Sequence, residues 1–363
     1  MSKHIAKQVE QLIKLVALRQ ETYKVEEAID SEFINFCNDN GLGAWCYAQH
    51  QKNSISGLDK VSLSNWKAIY FQNTIKYQRY LAVYNKVKQH LTGAGIPVMA
   101  LKGIALASHL YGDDGLRPMG DIDILVPEGK GMEALDVLMK AGAVQLVVPR
   151  SPYHEQADAH VRAVNIDGIM LEIHQRLFSL GSSFHTPGID FFNYTIEIEK
   201  QGVSMRQLNP LWMAYHLIAH AVKGIEMGGL RIGWLLDIAL LIDQQKDHGG
   251  FVDQVMHIMP KKKDAMQSVV DMAMLLLPDK DQYGLLNHSK LYKDISYLLD
   301  SNDHAKLYRF INLRQLSRVP GLSNKLMLLF YEFFPSKQYM RYRYHVRANE
   351  SLWRLYLKRI IRH

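Results

Sequence analysis

RPMGDIDILV, residues 117–126, sets two acids, Asp121 and Asp123, inside an otherwise apolar run closed by Pro127. Such a run predicts a buried strand, and a buried strand is a costly place for carboxylates. Side chains alternate faces along a strand, so Asp121 and Asp123 share one face while Ile122 and Ile124 share the other. Two carboxylates that close repel each other, and each needs a partner or a cation. A divalent metal meets both needs, and magnesium prefers oxygen ligands with phosphate completing its shell. Asp-x-Asp pairs also cap turns or pair with arginine, and Arg117 lies just upstream, so the pair alone leaves that reading open.

A second acidic strand repeats the departure from pattern. In IMLEIH, residues 169–174, Glu172 and His174 share one face while Leu171 and Ile173 point into oil. AHVRAVNI and IMLEIH flank Asp167-Gly168, a dipeptide that favours a two-residue hairpin turn. With the two acidic strands as neighbours, Asp121, Asp123 and Glu172 converge, and three carboxylates suit a two-metal site for phosphoryl or nucleotidyl transfer. His174 is expected to orient the carboxylate or touch substrate; imidazole is a poor partner for magnesium. Upstream, MALKGIALASHLYG reads as a strand, then Lys102-Gly103, then a helix. That turn offers backbone N–H groups at a helix N-terminus, where an anion is stabilised. Gly103 admits the close approach of a phosphate and Lys102 neutralises it. Arg117 either contacts phosphate or braces Asp121 or Asp123.

Around this centre the texture changes twice. Residues 1–92 read as an N-terminal helical segment, with IAKQVEQLIKLVAL and NTIKYQRYLAVYNKVKQHL placing apolar residues at three- and four-residue spacing. Residues 93–205 alternate strands and helices. From 206 to 363, after Asn209-Pro210, helices follow one another: PLWMAYHLIAHAVK, WLLDIALLIDQQ, FVDQVMHIM, AMQSVVDMAMLLL and SNKLMLLFYEFF. The predicted class is α+β, a small mixed-sheet core between the N-terminal helical segment and a C-terminal helical domain with a basic aromatic tail. His216 and His220 stand at i and i+4 and share a helix face. No Glu adjoins the first and no third ligand is evident, so a structural or pocket-lining role is expected rather than zinc. Asp237, an acid in the oily helix GWLLDIALLI, is expected to pair with one of these histidines, with lining of the nucleotide pocket as the alternative.

Composition bounds the rest. A chain of 363 residues with 48% hydrophobic content builds sizeable cores. The start, MSKHIAKQVEQLIKLVAL, alternates charge and oil and does not read as a secretory leader. The longest stretch without formal charge, Gln207 to Val222, carries two histidines and a proline, which argues against a membrane span. Two cysteines, Cys37 and Cys46, make no disulfide framework or thiolate zinc site, so a reducing cytoplasm is expected. From Lys337 onward eight Lys/Arg stand against one acid, Glu350, a surplus equal to the whole chain's +7. Tyr339, Tyr342, Tyr344, Trp353 and Tyr356 are interleaved. This tail reads as a terminal helix whose aromatics pack on the body while its arginines stay wet. Contact with nucleic acid or another anionic surface is the alternative.

Five segments together carry a family likeness: ALKGIALASHLYGDDGLRPMGDIDILV, LEIH, LWMAYHLIAHAVK, RIGWLLDIALLI, and the ending from FFPSKQYMRYRY to YLKRI. They resemble the polymerase-beta-like nucleotidyltransferase superfamily, and more closely its bacterial branch, the uncharacterised nucleotidyltransferase family. The resemblance runs from about residue 60 onward. It implies metal binding at Asp121 and Asp123, with Glu172 as the third carboxylate, and phosphate binding at Lys102 and Gly103. The superfamily at large has Gly-Ser or Gly-Gly at that turn and a shorter gap to the acids; this sequence has Lys-Gly and a longer gap, as its branch does. The implied activity moves a nucleoside monophosphate from a nucleoside triphosphate to an acceptor, usually a hydroxyl, and releases pyrophosphate. The implied cofactor is a pair of Mg2+ ions, with Mn2+ in their place as the alternative. Asp121 and Asp123 would bridge the two ions and Glu172 would hold the one nearest the acceptor. Small molecules, saccharides, proteins and RNA ends are all acceptors on this scaffold, and the fold does not choose among them. A second function class stays open: a non-catalytic nucleotide- or nucleic-acid-binding module on the same fold, whose binding would be salt-dependent and would survive loss of the acids.

Overall fold

Asn209 shows how locally this chain writes its boundaries. Its side chain accepts a hydrogen bond from the Trp212 N–H at 3.0 Å, Pro210 follows in the first helical position, and helix runs on to Glu226. A polar cap satisfies a donor that the first turn leaves over, and proline loses nothing where no bond is due. Asp30 and Ser151 cap two further helices in the same way, accepting from Phe33 N–H and His154 N–H.

The computed structural model describes residues 3–16, 23–25, 29–52, 54–149, 151–227, 229–258, 260–277, 295, 316–346 and 351–362. In chain order the elements are α1 (Lys3–Val16), β1 (Tyr23–Lys24), α2 (Ser31–Asp39), α3 (Gly43–Gln51), β2 (Ile55–Ser56) and α4 (Lys60–Gly93). Then come β3 (Met99–Leu101), α5 (Lys102–His109), β4 (Ile122–Leu125), α6 (Gly131–Lys140), β5 (Val144–Gln145), α7 (Pro152–Ala157), β6 (Val164–Ile166) and β7 (Ile169–His174). The hairpin β8 (Thr195–Lys200) and β9 (Val203–Leu208) precedes α8 (Pro210–Glu226), α9 (Ile232–Asp243), α10 (His248–Ile258) and α11 (Lys263–Met274). The last described helices are α12 (Leu322–Phe333), α13 (Lys337–Tyr344) and α14 (Trp353–Arg362). Among the described residues no helix is long and apolar enough to cross a membrane.

Two compact units share these elements, and neither is continuous in sequence. One takes the described residues of Met1–Leu81, Leu101–Gly120 and Tyr194–Tyr308; the other takes those of Ala82–Ala100, Asp121–Asn193 and Arg309–His363. The first is mainly helical. In it α8, α9, α10 and α11 pack on one another, and β8 pairs antiparallel with β9 across Gln201-Gly202. Both turn residues have positive φ, 52° and 75°. The sequence reading did not name this hairpin, although TIEIEK alternates cleanly; Gln-Gly is a less common turn signal than Asp-Gly.

The second unit holds the five-stranded sheet, in the order β3-β4-β7-β6-β5. β4 and β7 run parallel, β6 and β7 antiparallel, so the sheet is mixed as expected. Asp167 (φ 52°) and Gly168 (φ 84°) make the predicted two-residue turn between β6 and β7. Ile122, Ile124, Leu171 and Ile173 are fully buried, and α6 packs on β7 with Ala134, Leu135 and Leu138 inside. Each of those four strand side chains contributes roughly 1.5–3 kcal/mol of burial, which offsets the cost of polar groups on the other face.

Candidate active site

The parallel register of β4 and β7 sets Asp123 directly beside Glu172 and Leu125 beside His174. Adjacent strands lie ~4.8 Å apart, so two carboxylates are forced together. Between them lies His174: its Nε2 is 2.9 Å from Asp123 Oδ1 and 3.5 Å from Glu172 Oε2. A carboxylate only accepts, so with an ionised Asp123 the ring nitrogen facing it carries the proton. Asp123 and His174 are buried and Glu172 is half-buried. The His174 hydrogen bond, with the nearby His160 charge, holds Glu172 below the ordinary carboxylate range against the opposing effect of its burial.

Asp123, Glu172 and His174 each offer a donor atom, and these atoms lie within 4.8 Å of one another. Two carboxylates and an imidazole fit a divalent cation, with the nitrogen favouring manganese over magnesium more than an all-oxygen set would. The outcome differs from expectation in membership. His174, set aside as a ligand from sequence, belongs to the converging group, while Asp121, placed just before β4, does not. His160 was not singled out. Its ring centroid is 5.4 Å from that of His174, across an isolated antiparallel bridge between the two residues. A bridge between a loop and a strand end leaves no periodic trace in sequence.

The other expected residues lie in the helical unit. Lys102 begins α5 with φ 41°, in the left-handed region that a lysine rarely adopts. Gly103 follows, and a Cβ there would stand 3.2 Å from Arg117 Nη1 and 3.4 Å from Met119 Cγ. The missing side chain therefore admits a guanidinium beside the first turn of α5. A strained residue at the expected anion turn is the kind of backbone that functional sites retain.

Arg117 does not stand as expected, and neither does Asp237. Arg117 Nε and Nη2 donate to the two oxygens of Asp237, each at 2.9 Å, and the Tyr111 hydroxyl donates to Oδ1 at 2.6 Å. Asp237 thus pairs with Arg117 and Tyr111. Burial, reinforced by the charge of Asp237, pushes the Tyr111 phenol far above its usual range. His216 is buried within α8, and His220 sets its ring edge-on against Trp234 of α9 at 4.9 Å. The two acids of the Gly112–Gly115 loop are also held locally. Asp113 accepts from the Tyr70 hydroxyl, and Asp114 pairs with Lys200 at 2.8 Å.

The family of uncharacterised nucleotidyltransferases matches this chain over residues 26–263. No curated protein matches it. Among solved structures, the crystal structure of ANT(2")-Ia in complex with adenylyl-2"-tobramycin is 10% identical, with a TM-score of 0.38 over 50% of this chain and 97% of that one. A solution structure of the antibiotic-resistance factor ANT(2'')-Ia is 11% identical, with a TM-score of 0.37 over 53% and 95%. An antigenic nucleotidyltransferase-like protein from Paracoccidioides brasiliensis is 15% identical, with a TM-score of 0.32 over 52% and 92%.

Proposed function

Because the chain belongs to the uncharacterised nucleotidyltransferase family, a family of nucleotidyl-transferring enzymes, we propose a specific reaction for it. It moves a nucleoside monophosphate from a nucleoside triphosphate to an acceptor hydroxyl, with a divalent cation at Asp123, Glu172 and His174. A bond forms between the acceptor oxygen and the α-phosphorus, the bond from that phosphorus to the bridging oxygen breaks, and pyrophosphate leaves with the electron pair. When bound, the cation lowers the acceptor's pKa and neutralises charge on the phosphates. Glu172 is the residue placed to assist the proton's departure. Asp121, on the segment that leads into β4, is the further carboxylate we assign to the cation's shell. Lys102 and the turn at Gly103 receive the triphosphate's charge, and Asp237 and Tyr111 orient Arg117 for the same task. Magnesium, or manganese given the imidazole, is the cation we propose. The compartment we propose is the cytoplasm, since Cys37 and Cys46 are buried free thiols.

The observation that supports this most is the convergence of Asp123, Glu172 and His174 on strands whose opposite faces are fully buried. A structural role for two adjacent carboxylates has no evident gain there, whereas a cation site does. The test is pyrophosphate release from each of the four ribonucleoside triphosphates, with magnesium, manganese or EDTA, across a panel of hydroxyl acceptors. An Asp121→Asn/Asp123→Asn double variant is expected to keep its circular dichroism spectrum and lose transfer. Undiminished turnover in a folded double variant would remove the carboxylates from the mechanism.

A further inference from the structure

The C-terminal helices carry an apolar face that the nucleotidyl-transfer reading does not use. Along α12, Leu322, Leu326, Leu329 and Phe330 follow the four- and three-residue spacing of one helix face, and all are exposed; Leu322 is 73% and Phe330 53% accessible. The face does not end with the helix. Phe334 sets its ring 5.3 Å from Phe330 and 6.1 Å from Tyr356 of α14, where Trp353, 57% accessible, and Leu357 continue the surface outward. The other side of this layer is anchored. Tyr153 donates to Asn324 O at 2.9 Å, Tyr356 to Pro335 O at 2.7 Å, and Arg359 to Glu332 O at 2.7 Å.

Two residues depart from the pattern expected of the tail. Arg359 is among the buried residues while Trp353 stands in solvent, so the aromatics are not simply packed inward with the arginines outside. The described C-terminal segment that carries the apolar face is basic. Arg318, Lys337, Arg343 and Arg354 are exposed, and the Arg354 guanidinium lies 5.5 Å from the centre of the Trp353 ring. Glu332 is the single acid among the described residues from 316 onward, and Arg359 and His154 already engage it.

We propose that this face is a docking surface for an anionic membrane, on which α12 and α14 lie with Leu322, Leu326, Phe330 and Trp353 in the headgroup–acyl boundary. Charge complementarity selects the occupant. Exposed Leu and Phe on one helix face in a segment rich in Lys and Arg is the pattern of interfacial helices, with attraction to anionic lipid added to apolar burial. A second copy of the chain would bring two basic segments together and be repelled. Nucleic acid rewards basic and stacking side chains, and gains nothing from the leucines that project from α12. With no described helix able to span a bilayer, the attachment is peripheral. The proposal does not depend on the nucleotidyl-transfer reading.

The test is co-sedimentation of the full chain with phosphatidylcholine vesicles and with vesicles containing phosphatidylglycerol, alongside a vesicle-free control. Partition to the anionic vesicles is expected to exceed that to neutral ones by at least about tenfold and to fall in high salt. Tryptophan emission is expected to shift to the blue on anionic vesicles, and Trp353→Phe to remove most of that shift. Leu326→Glu/Phe330→Glu, both at exposed positions, is expected to abolish partition with the circular dichroism spectrum and Tm unchanged. Equal partition to neutral vesicles, no partition to either, or full partition by the Glu variant overturns the proposal. So does tight binding of a single-stranded RNA oligonucleotide that the Glu substitutions abolish, which would assign the surface to nucleic acid.

Discussion

Asp237 is 2% exposed, and its carboxylate takes donors from Arg117, itself 14% exposed, and Tyr111. A buried charge of this kind is sustained by its partners, so removing one strands the other. Asp237→Ala is expected to cost about 3–5 kcal/mol, read from the midpoint of urea unfolding. Asp237→Asn keeps an acceptor for the guanidinium and is expected to cost less. An unchanged midpoint in the alanine variant would mean the pair adds nothing to stability. The sequence marked Asp237 as anomalous but did not point to Arg117 or Tyr111 as its partners. Arg117 is 120 residues away in the chain and nothing local points to it. His174 teaches the same lesson. Its face was legible from alternation, yet its place among the carboxylates followed from the pairing of β4 with β7.

At the scale of elements, local rules worked where they had a strong signal. The Asp167-Gly168 turn, the two acidic strands and the helices after Asn209 follow from turn chemistry and periodicity. Since Gly168 holds φ 84°, Gly168→Ala is expected to destabilise the sheet unit by about 1–2 kcal/mol through strain at that turn, measured by chemical denaturation. A cost near zero would mean that the hairpin relaxes into another turn type. The run VQLVV, residues 144–148, has the β-branched composition of a strand, but only Val144 and Gln145 form β5, with Leu146 and Val147 exposed. β5 is an edge strand, so its apolar residues lack a second neighbour and intrinsic β propensity does not extend it. The helical periodicity of α12 was equally clear, and it concealed that the apolar side faces outward.

Over the whole molecule, binding of a cation to the folded state alone must raise stability by mass action. With metal at a hundred times its Kd the gain is about 2.7 kcal/mol, expected as a higher Tm in MnCl2 that EDTA reverses and that Asp123→Asn abolishes. A Tm insensitive to divalent cations in the wild-type chain would leave the Asp123–Glu172–His174 group as a hydrogen-bonded cluster only. By itself the sequence determined the α+β class, the strands that carry Asp123 and Glu172, the face those acids share, and the family. Those properties are written in spacings of two to four residues, where covalent geometry alone fixes which side chains share a face. The tertiary structure decided which group each charge meets, that His174 stands with the acids, that Arg117 serves Asp237, and that the leucines of α12 remain in solvent. Such choices depend on strands and helices distant in sequence, and the free energy of a buried charge or an apolar face is set by what arrives beside it.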